Sequence, residues 1–418
     1  MKKALFTAGC IIAALAAIAG AAPAQMFRKI QITDKFWSEG VAIGDFNHDG
    51  KPDVCAGPFW YEGPEFTKRN EYRPATASFT LKKDGGEEKI DGYQGALGKA
   101  NAYSADFMNV VYDFNGDQWP DILVIGLPGT AATWYENPKG EKGNWPARKV
   151  FDVVDNESPM FTDLDGCGKP ELICHTGGYL GYARPDWSDA AKPWTFHRIS
   201  PRGSWHKYTH GIGIGDVNGD GRADMLMSDA WWEQPASLKD DPEWKSHPFK
   251  FADGGAQIYA FDVNGDKLTD VITCVDAHKY GLVWWEQSRK DGEISFIRHV
   301  IMGSKPGDSK SGIVFSQPHA IAFTDMDGDG LPDIITGKRF WGHGPTGDVE
   351  PNAPAVLYWF RLARGPAAGE AEFVPNLVDS ESGVGTQISV GDLGGSGKTS
   401  DIAISNKKGT FVFIRESK

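Results

Sequence analysis

Short apolar runs alternate with acidic, glycine-bearing loops along most of the chain. Val41-Ala42-Ile43 and Ile212-Gly213-Ile214 lead into such loops, and Asp121-Ile122-Leu123-Val124-Ile125 and Asp333-Ile334-Ile335-Thr336 lead out of them. Alternation at period two, bounded by Gly and Asp, predicts strands, so each loop is the tip of a β-hairpin. A third, aromatic strand follows each hairpin: Trp60-Tyr61-Glu62, Trp134-Tyr135-Glu136, Trp231-Trp232-Glu233, Trp284-Trp285-Glu286 and Tyr358-Trp359-Phe360. A fourth precedes the next loop, as at Arg148 to Phe151, Phe196 to Ile199, Phe296 to Ile301 and Phe373 to Val378. Four strands per unit and seven units predict an all-β fold, a seven-bladed propeller. The last unit ends on its third strand, Thr410 to Ile414, and Phe27 to Ile32 is expected to supply the missing fourth and close the ring. The Trp-rich positions are expected to pack blade against blade.

The loops share one nine-residue pattern. Intact copies are Asp45-Asn47-Asp49-Asp53, Asp113-Asn115-Asp117-Asp121, Asp216-Asn218-Asp220-Asp224, Asp262-Asn264-Asp266-Asp270 and Asp325-Asp327-Asp329-Asp333, at positions 1, 3, 5 and 9. Two copies are eroded: Asp163-Asp165 has Cys167 and Glu171 at the later positions, and Asp392 is followed by Gly394, Ser396 and a late Asp401. Alternating oxygen side chains around a tight glycine turn suit one hard cation, so about five structural Ca2+ sites are expected. A solvated acidic turn without metal is the alternative, and it suits the eroded copies.

Composition narrows the class. With 40% apolar and 24% charged residues the chain has material for a large core and is not disordered. A net charge of −13 argues against a nucleic-acid surface. Lys2 and Lys3, the apolar stretch Ala4 to Gly20 and Ala22-Pro23-Ala24 read as a signal peptide over 1–24, with a mature start at Gln25. Removing it leaves 41 basic against 56 acidic residues, a net of −15. Export to the periplasm or beyond is expected, and no later run is long enough to span a membrane. Residues 25–418 read as one domain with an insertion around 63–103. Cys55, Cys167, Cys174 and Cys274 are too widely spaced for a disulfide framework, so burial is the default for most of them.

The end of the ring opposite the loops is the candidate site. Six residues before the first Asp of each copy lie Glu39, Phe107, Glu157, His210, Ala256, His319 and Thr386. The outgoing strands bring His175, Asp229, Asp276, His278, Lys338, Arg339, Asn406 and Lys407 to the same rim. Six of the ten histidines lie on or near it: His175, His206, His210, His278, His319 and His343. A single histidine at a strand end is usually structural, but several converging on one axis point to metal-ligand or acid–base chemistry. His210, His319 and His175 are expected to hold a divalent metal (Mg2+, Zn2+ or Mn2+), with Glu157 beside them. His278 is the candidate acid or base. Lys338, Arg339 and His343, which with His278 and Glu157 are the candidate catalytic residues, are also candidates for holding substrate oxygens, with Tyr179, Asp276 and Trp341 near them. His197, His247 and His299 fall on outer strands.

The loops resemble the FG-GAP/VCBS repeats of integrin-type propellers over nearly all of the chain after residue 24, which implies fold and calcium but little about activity. Tyr208-Thr209-His210 through Trp231-Trp232-Glu233-Gln234-Pro235, Asp276-Ala277-His278 through Glu286, Gln317-Pro318-His319-Ala320, and Gly337-Lys338-Arg339-Phe340-Trp341-Gly342-His343 resemble the propeller domain of the aldos-2-ulose dehydratase family and its bacterial relatives. That resemblance implies a lyase acting on oxidised sugars such as 1,5-anhydrofructose, with a metal in the propeller. The cupin domains of the fungal members have no counterpart here, so their isomerising step is expected to be absent. The competing reading is a calcium-stiffened module that binds a glycan or a protein partner without turnover. No Ser-His-Asp signature, phosphate loop or Cys-His zinc spacing points to another enzyme class. Oligomeric state is left open.

Overall fold

The computed structural model describes residues 26–75, 78–83, 86–91, 103–367 and 369–416. The segment 1–24, expected as a signal peptide, lies outside them, as does part of the expected insertion. The fold is an all-β propeller, and its helical content among the described residues is one 3-10 turn, Pro306–Asp308. No helix among them is long and apolar enough to cross a membrane.

Five four-stranded antiparallel sheets stand separately. Their innermost strands are Ala42–Gly44, Met108–Tyr112, Met160–Thr162, Ile321–Thr324 and Ile388–Gly391. An eight-stranded sheet joins two more such units through their innermost strands, Ile212–Gly215 and Gln257–Phe261, which run parallel with Gly213 opposite Ile258. Glycine explains the join. A Cβ on Gly213 would meet the Ile258 carbonyl oxygen at 2.0 Å, and one on Gly215 would meet Ala260 Cβ at 2.1 Å. Bare backbone therefore lets one inner strand reach the next.

The strand Phe27–Thr33 pairs antiparallel with Gly409–Arg415, so the first and last strands among the described residues share one sheet. The aromatic third strands face the seams. Trp134 is buried with Leu172 and Cys174 of the next sheet, Trp284 with Ile334 and Phe360, and Trp359 with Ile402 and Phe413. Each seam is thus a small apolar core, where large aromatics bury the most area per residue. Cys55, Cys174 and Cys274 are buried free thiols and Cys167 is an exposed one.

The insertion is smaller than the sequence suggests. Arg69–Glu71 pairs with Phe59–Tyr61 and completes the first sheet, so the departure from the repeat begins only after Glu71. Within it, Ser78–Lys83 and Gly86–Asp91 form a separate two-stranded hairpin.

At the loop end, one backbone form recurs in all seven copies. Positions 4 and 6 take positive φ, usually as glycine; His48 (58°), Gln118 (73°) and Lys267 (73°) do so without being glycine. The first Asp ties the turn: Asp45 Oδ1 accepts the Asp49 amide at 3.0 Å and Oδ2 the Gly50 amide at 2.9 Å. The ninth-position acid differs from expectation. Asp53 is fully buried, and its two oxygens accept the amides of Phe46 and Gly63, both at 2.9 Å. Asp121, Asp224, Asp270 and Asp333 bridge the loop to the third strand in the same way. These acids brace the blade, whatever they also hold.

Candidate metal and acid–base site

His210 and His319 stand just before two inner strands, six residues upstream of their loops, and Glu157 and Glu39 hold the same place in two other sheets. Residues of a strand advance about 3.3 Å each, which puts them roughly 20 Å from the loop end. Backbone bonds between sheets lock this rim. The Glu157 amide donates to Thr209 O, the Val384 amide to Lys338 O and the Thr386 amide to Glu39 O, each at 3.0 Å.

On that frame three ligand-type atoms converge. His210 Nε2 and His319 Nε2 are 3.1 Å apart, and Glu157 Oε2 is 3.3 Å from each. A tetrahedral shell with bonds of about 2.0–2.1 Å sets neighbouring ligand atoms about 3.3–3.4 Å apart, so the triangle has the dimensions of a coordination face. His278 adds a third imidazole, with its ring 5.0 Å from that of His210 and 5.1 Å from that of His319. Arg339 is buried against the same atoms, with Nη1 2.8 Å from His319 Nε2 and 3.7 Å from Glu157 Oε2 and Nη2 3.1 Å from Glu39 Oε2, so an ion at the triangle would take the His319 Nε2 lone pair from the guanidinium. Glu157 Oε2, His319 Nδ1 and Glu39 Oε1 are buried without hydrogen bonds. Of these Glu157 Oε2 lies in the triangle, and an unpaired buried carboxylate oxygen is what a bound cation would satisfy. The residues present therefore suit a divalent metal held by nitrogen and oxygen.

The electrostatics are divided. Burial alone would push the Glu157 carboxyl up, but its contacts with His210 and His319 outweigh that and hold it well below the usual carboxylate range. Burial, then the Arg339 charge, keeps His319 well below the usual imidazole range, so its ring is neutral, as a ligand must be. Arg339 loses solvation on burial, yet Glu39 and Glu157 raise it further.

A second group adjoins the first. His343 Nδ1 is 2.7 Å from Asp348 Oδ1, and Asp348 Oδ2 accepts the His343 amide at 2.7 Å. The rings of His278 and His343 are 4.5 Å apart, and His278 Nδ1 is 3.5 Å from the same Asp348 oxygen. Burial lowers His278, against the opposing pull of Asp348. Lys338, fully buried with Nζ 2.6 Å from Ser316 Oγ, is brought down to about 8 by burial.

The structure thus gathers His210, His319, Glu157, His278, His343 and Arg339, with Lys338 alongside. It leaves His175 out. That ring is buried against Met227 Sδ at 3.3 Å and stacks on Trp205 at 5.5 Å, and burial lowers it to about 3. The outgoing strand buries this side chain in the seam instead of at the mouth. Tyr179 is also apart: it pairs with Thr176 across the Gly177-Gly178 turn, with Arg198 over its ring. Asp276 holds the turn that carries His278, accepting the His278 amide at 2.9 Å while paired to Lys279. Trp341 is held by Asn352, and its carbonyl accepts Lys407 Nζ at 2.6 Å. Asp348 escapes a reading of the sequence, because it lies in a non-repeating loop where only its spacing of five from His343 marks it.

At the other end, Asp325, Asp327 and Asp333 come within ligand range of one another, as do Asp163, Asp165 and Cys167. The second group differs in kind. Arg184 pairs with Asp165 and sits 3.1 Å from Glu171 with its Nε, placing a tethered cation in the eroded loop.

Likeness to known proteins bears on this architecture. A model of an FG-GAP-like repeat matches residues 262–336. No curated protein matches the chain. Among solved structures, a chain in the crystal structure of BBS1N in complex with ARL6DN, soaked with lead, is similar at 12% identity and a TM-score of 0.39. The match covers 77% of this chain and 95% of that one. The repeat match agrees with the loops and the sheet order and bears on fold alone.

Proposed function

We propose that the protein is an exported, metal-dependent lyase that eliminates water or an alcohol from a keto-sugar at the histidine-rich mouth of the propeller. The observation that carries this is the triangle of His210 Nε2, His319 Nε2 and Glu157 Oε2, 3.1–3.3 Å on a side and backed by a buried arginine. The eight-stranded sheet counts as two blades in this reading, giving seven. Support comes from the seam clusters, seven of which are each shared by two neighbouring units. The five intact loops hold structural Ca2+, away from the chemistry.

A divalent ion at the triangle supplies Lewis acidity toward a sugar carbonyl. The chain's own groups do the rest. His278, neutral through burial, takes the proton from the carbon next to the carbonyl. Arg339 places fixed positive charge beside the oxygen that becomes negative, with Lys338 adding to it. The electron pair then forms a carbon–carbon double bond as the β C–O bond breaks. His343, held by Asp348, gives the departing oxygen its proton, and the product is a conjugated enone.

The test is optical. Wild-type protein mixed with 1,5-anhydrofructose or with 3-keto-glucosides should raise ultraviolet absorbance as the enone forms. His319→Ala should slow that rise at least 100-fold, within the range lost with such groups. A flat trace for folded, metal-replete wild type on both substrates would leave the binding module, a calcium-stiffened propeller that docks a glycan.

A further inference from the structure

Beside the histidine group opens a cavity of about 420 Å³, lined by Trp205, Tyr208, His210, Asp229, Lys250 and Asp253. His210 belongs to both, so the cavity adjoins the proposed catalytic mouth. The volume lies within the range of small-ligand pockets.

The loop that builds it is fixed, not loose. The Tyr208 amide donates to Asp155 O at 2.8 Å, next to the bond from the Glu157 amide to Thr209 O. Tyr208 is held at φ 77°, in a region that non-glycine residues rarely occupy, and its side chain is 40% exposed. Trp205 is backed by Trp232 edge-on at 6.0 Å and by His175 at 5.5 Å. His175, absent from the metal group, acts here as the support of Trp205.

The lining decides the guest. Two aromatic rings offer apolar faces, and Asp229 and Asp253 offer acceptors for hydroxyl groups. The two carboxylates repel an anion. Lys250, paired with Asp253 at 2.6 Å, cancels one of them, and Lys207 lies beside the lining 5.2 Å from the Tyr208 ring centre, so a cation is not favoured either. A neutral ring with apolar faces and a hydroxyl edge satisfies both constraints. We infer that this cavity is a saccharide subsite next to the histidine group, so that the ligand carries a second sugar ring on Tyr208 and Trp205. The two-ring ligand rests on the reading of a sugar at the histidines, but its test needs no turnover.

The measurement is calorimetric titration of the full chain with glucose and with unoxidised cellobiose, maltose and trehalose. At least one disaccharide is expected to bind ten-fold or more tighter than glucose. Tyr208→Ala should erase that surplus, and Tyr208→Phe, which keeps the ring, should retain it. No disaccharide exceeding glucose, or a surplus that survives Tyr208→Ala, would overturn the subsite. The lyase reading falls separately: a disaccharide surplus without enone formation sinks the lyase and leaves the subsite standing, whereas enone formation without a surplus does the reverse.

Discussion

Asp53, Asp121, Asp224 and Asp270 show how one residue type serves two ends. Each is buried, and burial raises its carboxyl to about 7, partly offset by two backbone amides, or three at Asp224. A carboxyl raised in the folded state favours folding while it is protonated. Its contribution is fully present below the unfolded value near 4 and is lost as pH rises through about 7. Calcium bound by these acids would reverse the sign, because a cation favours the carboxylate. The gain in melting temperature from calcium over chelator should therefore be larger at pH 8 than at pH 5.5 by several degrees. Thermal unfolding in the two media at the two pH values checks this, and equal gains would show that these acids do not face an ion. The nine-residue spacing marked these acids in the chain but not this bracing role. The third-strand amides that complete it come from 10 to 29 residues further on, as with Gln234 for Asp224 and Leu362 for Asp333.

Strands were legible where chemistry repeats and obscure where it does not. The Trp-bearing third strands and the loops were readable because apolar and acidic positions recur at fixed offsets. Arg69–Glu71 and Lys245–Pro248 were not, since their exposed polar side chains bear no core pattern. The parallel join of Ile212–Gly215 to Gln257–Phe261 was hidden too, because glycine in a strand reads equally as a bulge. That join makes Gly213 a packing position. Gly213→Ala, which drives a methyl against the Ile258 carbonyl, should cost about 1–3 kcal/mol as overpacking does. Gly221→Ala, also unfavourable, would act through its positive φ with open space around it. Urea unfolding checks the first, and an unchanged midpoint would mean the two inner strands do not pair. The rim was legible to within a residue for His210, His319 and Glu157, since strand geometry carries the loop register to the other end. It failed at His175, where the turn of the outgoing strand decides which way a side chain points.

Charge at the scale of the whole ring ties the loops together. The chain carries −13, and much of it sits in the loops at one end. Acids crowded on one surface oppose folding through mutual repulsion unless counter-charge is bound. Five intact loops each offer three or more carboxylate or amide oxygens, whereas the Asp392 copy has Gly394 and Ser396 in their place. The Asp163 copy keeps the turn but is already served by Arg184, which spans Asp165 and Glu171. Lys139 on Asp117 and Arg222 on Asp220 touch one acid of their intact loops, but Arg184 also engages the ninth-position acid, so it opposes a second cation more strongly. Calcium titration of the chelator-treated chain should therefore saturate at five ions per chain, read by native mass spectrometry. Arg184→Gln should raise the count to six or leave it at five with lower stability, and it should never lower it. Saturation at seven in the wild type would mean that the backbone turn alone selects the ion and that Arg184 moves aside. Saturation at two or three would mean that the positive-φ turns at His48, Gln118 and Lys267 cost those loops their ions.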